Sequence, residues 1–256
     1  MGYSGYRDPS LRSGLQKKML ILAIDTSGQS GGITLAEADR KSFRVIESAA
    51  IAGGTFSAQL IPTLAASLKK RGYRPQDIGG FAAASGPGSF TGLRVGLSAI
   101  KGLAETLHQP IATVSVLEAM ASLSSHSGKI AAAMDAGRKE VFLGVFEKLA
   151  ERNLENPTEN PATILVKERE QLLTQQDFLT ALSADNPLWL VTSDAPIAEI
   201  ASAANCAVEV IARPGSEVIG RLGAAKLFTD ETVSVEALDA NYLRRSDAEI
   251  FFKGNR

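Results

Sequence analysis

Strands and helices alternate along the whole chain, which predicts an α/β fold with a mixed sheet in each of two lobes. Three observations carry this expectation. Unbroken apolar runs, "MLILAID" at 19–25 and "IGGFAAAS" at 78–85, read as strands buried on both faces. Stretches such as "SAQLIPTLAASLKKRG" repeat leucine every four residues, at Leu60, Leu64 and Leu68, as an amphipathic helix does. Both halves also open on strands and continue into helices, as a duplicated lobe would.

The elements follow in order. After the first strand, "GGITLAEA" and "SFRVIESAAI", separated by charged "DRK", read as an antiparallel meander. The leucine helix stops at Gly72. The strand at 78–85 enters a glycine loop, and "GLRVGLSAIKGLAETL" is the next helix, ended by "HQP". A short strand "IATVS", a helix "VLEAMASLS", a strand "KIAAAMDA" and its hairpin partner "EVFLGVF" come after it. The polar stretch "AERNLENPTENPA", with two Asn-Pro steps, reads as a loop or a boundary. Beyond it lie a helix "QDFLTALSA", strands "LWLVTS" and "VEVIA", a helix "SEVIGRLGAAKLF" and the tail "NYLRRSDAEIFFK".

Bulk composition narrows the function. Among 256 residues, 45% are hydrophobic and 21% charged, the balance of a folded protein. Lys+Arg total 27 against 28 for Asp+Glu, a net charge of -1, which argues against a broad nucleic-acid face. One cysteine, Cys206, excludes an internal disulfide framework, and the two histidines, His108 and His126, are too far apart for a helical metal pair. No apolar run approaches a membrane span, and residues 1–18 lack the apolar core of a secretory signal, so a cytoplasmic protein is expected. Residues 1–18 read as a disordered extension or an expression scar, 19–113 as the first lobe, and 114–256 as the second, its C-terminal segment free to pack back on the first.

The densest motif is "SGPGSFTGLRVG", 85–96. Gly86, Gly88, Gly92 and Gly96 match neither the Walker pattern nor G-x-G-x-x-G, and "GSFTG" centres on Phe, not on a serine nucleophile. Two readings stay open: a phosphate cradle at a helix N-terminus, or a turn that needs positive φ. Ser89 or Thr91 can cap the helix. Along that helix Leu93, Leu97, Ile100, Ala104 and Leu107 make one stripe, beside a face of Gly92, Gly96, Ala99 and Leu103. Glycine inside a helix costs roughly 1 kcal/mol relative to alanine, so Gly96 and Gly102 imply close approach of another backbone, from the same chain or a second molecule. Asp25, followed by "TSG", and Asp135, in "AMDAGR", end strands where acids could hold metal-bound water or simply cap turns. Two such acids opening on one cleft suit an ATP-dependent phosphotransferase, the alternative function. Glu118 has no evident partner.

"ILAIDTS", "SGPGSFTGLRVGLSAIKGLA", "VSVLEAMA", "DAGRKEVF" and the terminal "NYLRR" stand in the order and spacing of the TsaB (YeaZ) family, which the chain resembles from Met19 to about Lys253. The resemblance implies an actin-like, sugar-kinase-like (ASKHA) fold of two ribonuclease-H-like lobes. It implies a noncatalytic subunit of tRNA threonylcarbamoyladenosine modification, paired with a TsaD-like paralogue and working with a TsaE-like ATPase. The chain alone would form a homodimer, and tRNA would be met indirectly. TsaD holds metal with an H-x-E-x-H motif; here "VLEAM" keeps Glu118 but puts Val116 and Met120 at the histidine positions, so no metal site is implied. Gly92, Leu93, Gly96, Leu97, Ile100, Lys101 and Ala104 are implied as the partner interface, with Gly96→Leu expected to break pairing while sparing the fold. Asp25, Thr26, Ser27, Gly86 and Asp135 are implied as a vestigial nucleotide site. The chain would have no cofactor of its own, ATP or ADP with Mg²⁺ being the candidate if one binds. Two departures from the family pattern are "VTSD" at 191–194, where a glycine-rich turn is usual, and Phe56, where many relatives carry histidine.

Overall fold

The computed structural model describes residues 18–150, 163–184, 188–241 and 243. The expectation for residues 1–18 therefore lies, but for Lys18, outside the described residues, as does most of the tail.

Two five-stranded sheets form the frame. The first contains β1 (Met19–Asp25), β2 (Ser30–Ala38), β3 (Phe43–Ala52), β4 (Ile78–Gly86) and β5 (Ile111–Ser115), in the order β3-β2-β1-β4-β5. The second contains β6 (Gly128–Gly137), β7 (Glu140–Ala150), β8 (Thr163–Thr174), β9 (Trp189–Thr192) and β10 (Ala207–Val210), in the order β10-β9-β6-β7-β8. In each, the first three strands form an antiparallel meander and the fourth and fifth run parallel to the first. The topology is the same ribonuclease-H-like one twice, so the α/β expectation of two mixed-sheet lobes holds. The first sheet ends at Ser115, two residues beyond the expected division at 113.

Helices follow the same duplication: α1 (Phe56–Arg71), α2 (Phe90–Leu107) and α3 (Val116–Leu123), then α4 (Gln175–Ala184), α5 (Ala195–Ala203) and α6 (Ser216–Phe228). Gly72, at φ 75°, closes α1 by donating to the carbonyls of Leu68 and Lys69. Ser115 and Glu118 make a reciprocal capping box at the start of α3.

The chain is built in layers. Leu22, Ile24, Ile33 and Phe81 bury one face of the first sheet under α1 and α2. Ala131, Ala133, Leu143 and Leu190 bury the outer face of the second under Phe178 and Leu182 of α4 and Ile197 of α5. Between the sheets lie α3 and α6, and their packing is crossed. α3 follows the first lobe's last strand yet covers β6, β7 and β8, whereas α6 follows β10 and covers the first sheet. Gly220 faces Ala23 and Gly223 faces Ala82, so the alanines in "LAID" and "FAAAS" admit α6 closely. Lys226 of α6 donates to Glu118 of α3 at 2.7 Å and to the Thr113 carbonyl at 3.1 Å, which gives Glu118 the partner that the sequence did not show.

Of the two readings of the polar stretch after Ala150, a loop or a boundary, the pairing favours the loop: it connects β7 to β8, antiparallel neighbours in one sheet. β8 itself is missing from the sequence reading because "KERE" interrupts its apolar pattern; it is an edge strand with one wet face. The nine-residue α5 also escapes that reading.

The turn from α3 to β6 is pinned by one carboxylate of β10. Glu209 accepts from Ser124 Oγ at 2.7 Å, from Ser125 N at 3.0 Å and from His126 Nδ1 at 3.2 Å. Burial alone would raise its carboxyl, but these donors outweigh burial and hold the pKa at about 2. A depressed folded-state pKa gives stability that is present above the ordinary value of 4.5 and is lost as pH falls toward 2. Thermal melts of the wild type between pH 6 and pH 3 are expected to show this loss, on the order of 2 kcal/mol. In Glu209→Gln the starting stability is lower and the acid slope flatter; parallel slopes would remove Glu209 from the account.

Candidate functional site

A cleft of about 1510 Å³ lies between the lobes. The β1–β2 turn (Ser27, Gly28, Gln29), the glycine loop (Pro87, Gly88, Ser89), Asp135, Ser193, Asp194 and Arg213 are among its walls.

The expected acids do not meet there. Asp25 is 2% exposed, and its Oδ1 accepts from Ser27 N at 2.9 Å and from Ser27 Oγ at 2.6 Å. This closes an Asx turn, and Ser27 rather than Asp25 faces the cleft. Thr26 is buried too. Asp135 is exposed on the cleft wall, but its Oδ1 accepts from Gly137 N at 2.8 Å and caps its own turn. Its backbone N–H donates to Asp194 Oδ2 at 2.7 Å, and Asp194 N donates to Thr192 Oγ1 at 3.1 Å. "VTSD" thus orders the end of β6 by a side chain where a glycine-rich turn would leave backbone N–H groups open. The paired-acid arrangement of a phosphotransferase is not assembled.

The glycine loop turns inward. Gly86 sits buried at φ 103° before a cis peptide to Pro87. Ser89 N donates to the Ser27 carbonyl at 2.7 Å, and Ser89 Oγ caps α2 by accepting from Gly92 N at 3.2 Å. Two donors at the N-terminus of α2, Ser89 N and Gly92 N, are therefore spent on the protein itself. A Cβ at Gly88 would overlap the Ser27 carbonyl, one at Gly92 the Thr26 carbonyl, and one at Gly96 the Thr26 hydroxyl. Gly88 and Gly92 thus permit the approach of the backbone just after β1, and Gly96 that of the Thr26 side chain. Gly102 has open space around its Cα and no such role.

The interface stripe is corrected by the same packing. Leu93, Leu97, Ile100 and Ala104, like Gly92 and Gly96, are buried inside the first lobe and present nothing to a partner; Lys101 is half-buried. The outward side of α2 instead carries Phe90, Arg94, Val95, Ser98 and Ala99. Arg94, Val95, Ser98 and Ala99, with Phe56, Ser57, Leu60 and Ile61 of α1, line a second cavity of about 400 Å³. Ile61 is 51% and Phe90 37% exposed, and the Arg94 guanidinium lies 3.8 Å over the Phe90 ring. Val116 and Met120, at the positions of the ligating histidines in the H-x-E-x-H motif, are apolar and fully buried in α3. Among the described residues no group of three or more His, Cys, Asp or Glu could hold a metal ion, and no helix is long and apolar enough to cross a membrane.

Arg213, in the connection from β10 to α6, is the cleft residue that the sequence reading missed. Its Nη2 donates to Ser27 Oγ at 3.0 Å. An arginine before "PG" after a short strand gives no local signal of that reach.

Comparison with known proteins shows the family to which the chain belongs. The family profile "TsaD: tRNA N6-adenosine threonylcarbamoyltransferase" matches residues 49–250. The tRNA threonylcarbamoyladenosine biosynthesis protein TsaB of Bacillus subtilis is 36% identical over 130 residues, 50% of this chain and 56% of that protein. The Haemophilus influenzae protein of the same name is 25% identical over 231 residues, 89% of this chain and 94% of its own length. The structure of YeaZ from Pseudomonas aeruginosa superposes with a TM-score of 0.66 at 21% identity, covering 87% of this chain and all of that one, and supports the fold.

The internal role of the glycines has a measurable consequence. Gly92→Ala and Gly96→Leu are expected to destabilise the fold by about 2–4 kcal/mol in urea unfolding, the first through overpacking against the Thr26 carbonyl and the second against the buried Thr26 and Ile24 side chains. This reverses the expectation that Gly96→Leu spares the fold; a wild-type denaturation midpoint for both would overturn it.

Proposed function

We infer that this chain, which belongs to the TsaB (YeaZ) branch of the TsaD-type family, serves tRNA threonylcarbamoyladenosine biosynthesis as a binding subunit and not as the transferase. In this reading it pairs in the cytoplasm with a TsaD-like paralogue, works beside a TsaE-like ATPase, needs no cofactor of its own and meets tRNA through the paralogue. Alone, the same surface would pair two copies of the chain.

The observation that carries the reading is the outer face of α1 and α2. Ile61 stands exposed beside a groove floored by Phe56 and Leu60, Phe90 is exposed at the start of α2, and no described element covers the groove. Exposed apolar surface rimmed by polar groups such as Ser57, Ser98 and Arg94 is what a protein partner buries. Two features weigh against chemistry in this chain. Asp25 is turned into its own loop, and apolar Val116 and Met120 offer no electron pairs to a metal.

Ile61→Asp combined with Ser98→Arg changes only exposed positions. Stability is expected to stay within about 0.5 kcal/mol of wild type. Co-purification with the TsaD-like partner should be lost. Threonylcarbamoylation of tRNA should fall to the level without this chain, in a reconstituted mixture containing TsaD, TsaE and the adenylate-forming enzyme. Undiminished pairing by the double variant would sink the assignment of this face.

A further inference from the structure

We propose that the end of the first lobe where α1 stops and β2 turns into β3 binds the phosphate backbone of RNA directly. The chain brings eight cations to that end. Lys18 precedes β1, Arg40 and Lys41 form the tip of the β2–β3 hairpin, and Arg44 lies at the start of β3. Lys69, Lys70 and Arg71 fill the last turn of α1, and Arg74 follows it. Hydrogen bonds set the two groups side by side. Lys70 Nζ and Arg71 Nε donate to Glu47 of β3 at 2.8 and 2.7 Å, and the Tyr73 hydroxyl, just past α1, donates to Glu37 of β2 at 2.7 Å. The carboxylates bonded into this end number four, Glu37, Asp39, Glu47 and Asp77, so eight cations against four anions leave a net +4 on a chain whose total is -1. That total argues against a broad nucleic-acid face, not against a local one.

The four carboxylates are used up locally. Glu47 is shared by Lys70 and Arg71, Glu37 by Arg44 and Tyr73, and Asp77 pairs with Arg74. Asp39 is bonded within its own hairpin: Oδ1 accepts from Lys41 N and Ser42 N at 2.8 Å each, and Oδ2 from Ser42 Oγ at 2.9 Å. This orders the turn and leaves the side chains of Arg40 and Lys41 at its tip facing solvent. Lys18, Arg40, Lys41 and Lys69 are exposed and make no ion pair among the described residues. A partner with closely spaced negative charges and no cations of its own is what such a surface attracts, and a polynucleotide backbone is that partner, each neutralised phosphate releasing a counterion. The patch also borders the pairing face, since Lys70 follows Ile61 on α1 by about 14 Å of helix. The inference rests on the reading that the partner seated there works on RNA, and it adds a direct contact to the one made through the paralogue.

The test titrates the full chain alone into a fluorescently labelled RNA hairpin and follows anisotropy at several salt concentrations. Saturable binding with a Kd of roughly 1–100 μM at physiological salt is expected, with a slope of log affinity on log salt of roughly -3 for four phosphate contacts. Arg40→Glu with Lys41→Glu changes exposed positions only and should keep the wild-type melting temperature while weakening binding about ten-fold or more. Arg40→Ala with Lys41→Ala should weaken it less and flatten the salt slope by roughly 1.5. Lys69→Glu, on a different element, should weaken it too and serves should the hairpin variants fail to fold. Ile61→Asp with Ser98→Arg leaves the net charge unchanged and should bind the hairpin as the wild type does while losing the partner, so failure of the pairing reading and failure of this one are told apart. Polyglutamate is the competitor: if it displaces the probe as well as unlabelled RNA does at equal charge, the surface fits an acidic protein segment and the assignment to RNA is overturned. Absence of saturable binding by the wild type, or wild-type affinity in folded Arg40→Glu with Lys41→Glu, overturns it as well.

Discussion

Everything in this protein hangs on the layer between the sheets, where α3 and α6 are exchanged between lobes. A five-stranded mixed sheet with one helix layer still has an open apolar face, and each lobe closes the other's. α6 can do so because Gly220 and Gly223 meet alanines of β1 and β4, which brings a helix to the first sheet at short range. α3 does so with Val116, Leu117 and Met120, buried against the second sheet. The Lys226–Glu118 pair ties the two helices where they emerge from the apolar layer; at 23% and 15% side-chain exposure it orients more than it stabilises. Since neither lobe is complete without the other's helix, the sheets cannot part freely, and the cleft inherits its shape from this layer.

The same economy of small residues governs α2. Its N-terminus rests on the β1–β2 turn with three glycines facing backbone or hydroxyl, so α2, the turn and β1 form one rigid piece. Seating the helix there spends its cap and the Ser89 N–H on the protein. It also fixes which side of α2 looks outward, so the contact that looks like an anion loop in the sequence is what presents the surface of Phe90, Arg94 and Ser98.

Much of this frame was legible in the sequence. β1 and β4 are uninterrupted apolar runs because both of their faces are covered, and the stops at Gly72 and His108 are local chemistry, the latter at φ 52°. The duplicated lobe could be sensed from element order, although only strand pairing establishes it. β8 was illegible for a physical reason: an edge strand has one wet face, and Lys167, Glu168, Arg169 and Glu170 crowd its apolar period. Gly96 of α2 was correctly read as a mark of close approach and Gly102 was not, and spacing along a helix cannot say whether the approaching group belongs to the same chain. The leucine stripe failed likewise, since a buried stripe and an interface stripe have one pattern. Arg213 was out of reach, because its partner, Ser27, lies 186 residues away.

The character of the cleft follows from where its charges are held. On the second-lobe side of the cleft, Asp135 and Asp194 are committed to backbone donors, and on the first-lobe side Asp25 is sealed behind Ser27. A carboxylate so engaged is a fixture of the turn it closes, and moving it would cost the hydrogen bonds that shape the wall. Arg213 differs: it is anchored through one nitrogen and unanswered at Nε. The outer face of α1 and α2 lies across the first sheet from the central layer, with α2 locked to the turn between them. Phe56, Ser57, Arg94 and Val95 line both the outer groove and the cleft, so a change among them acts on both, whereas Ile61 and Ser98 border the groove and not the cleft.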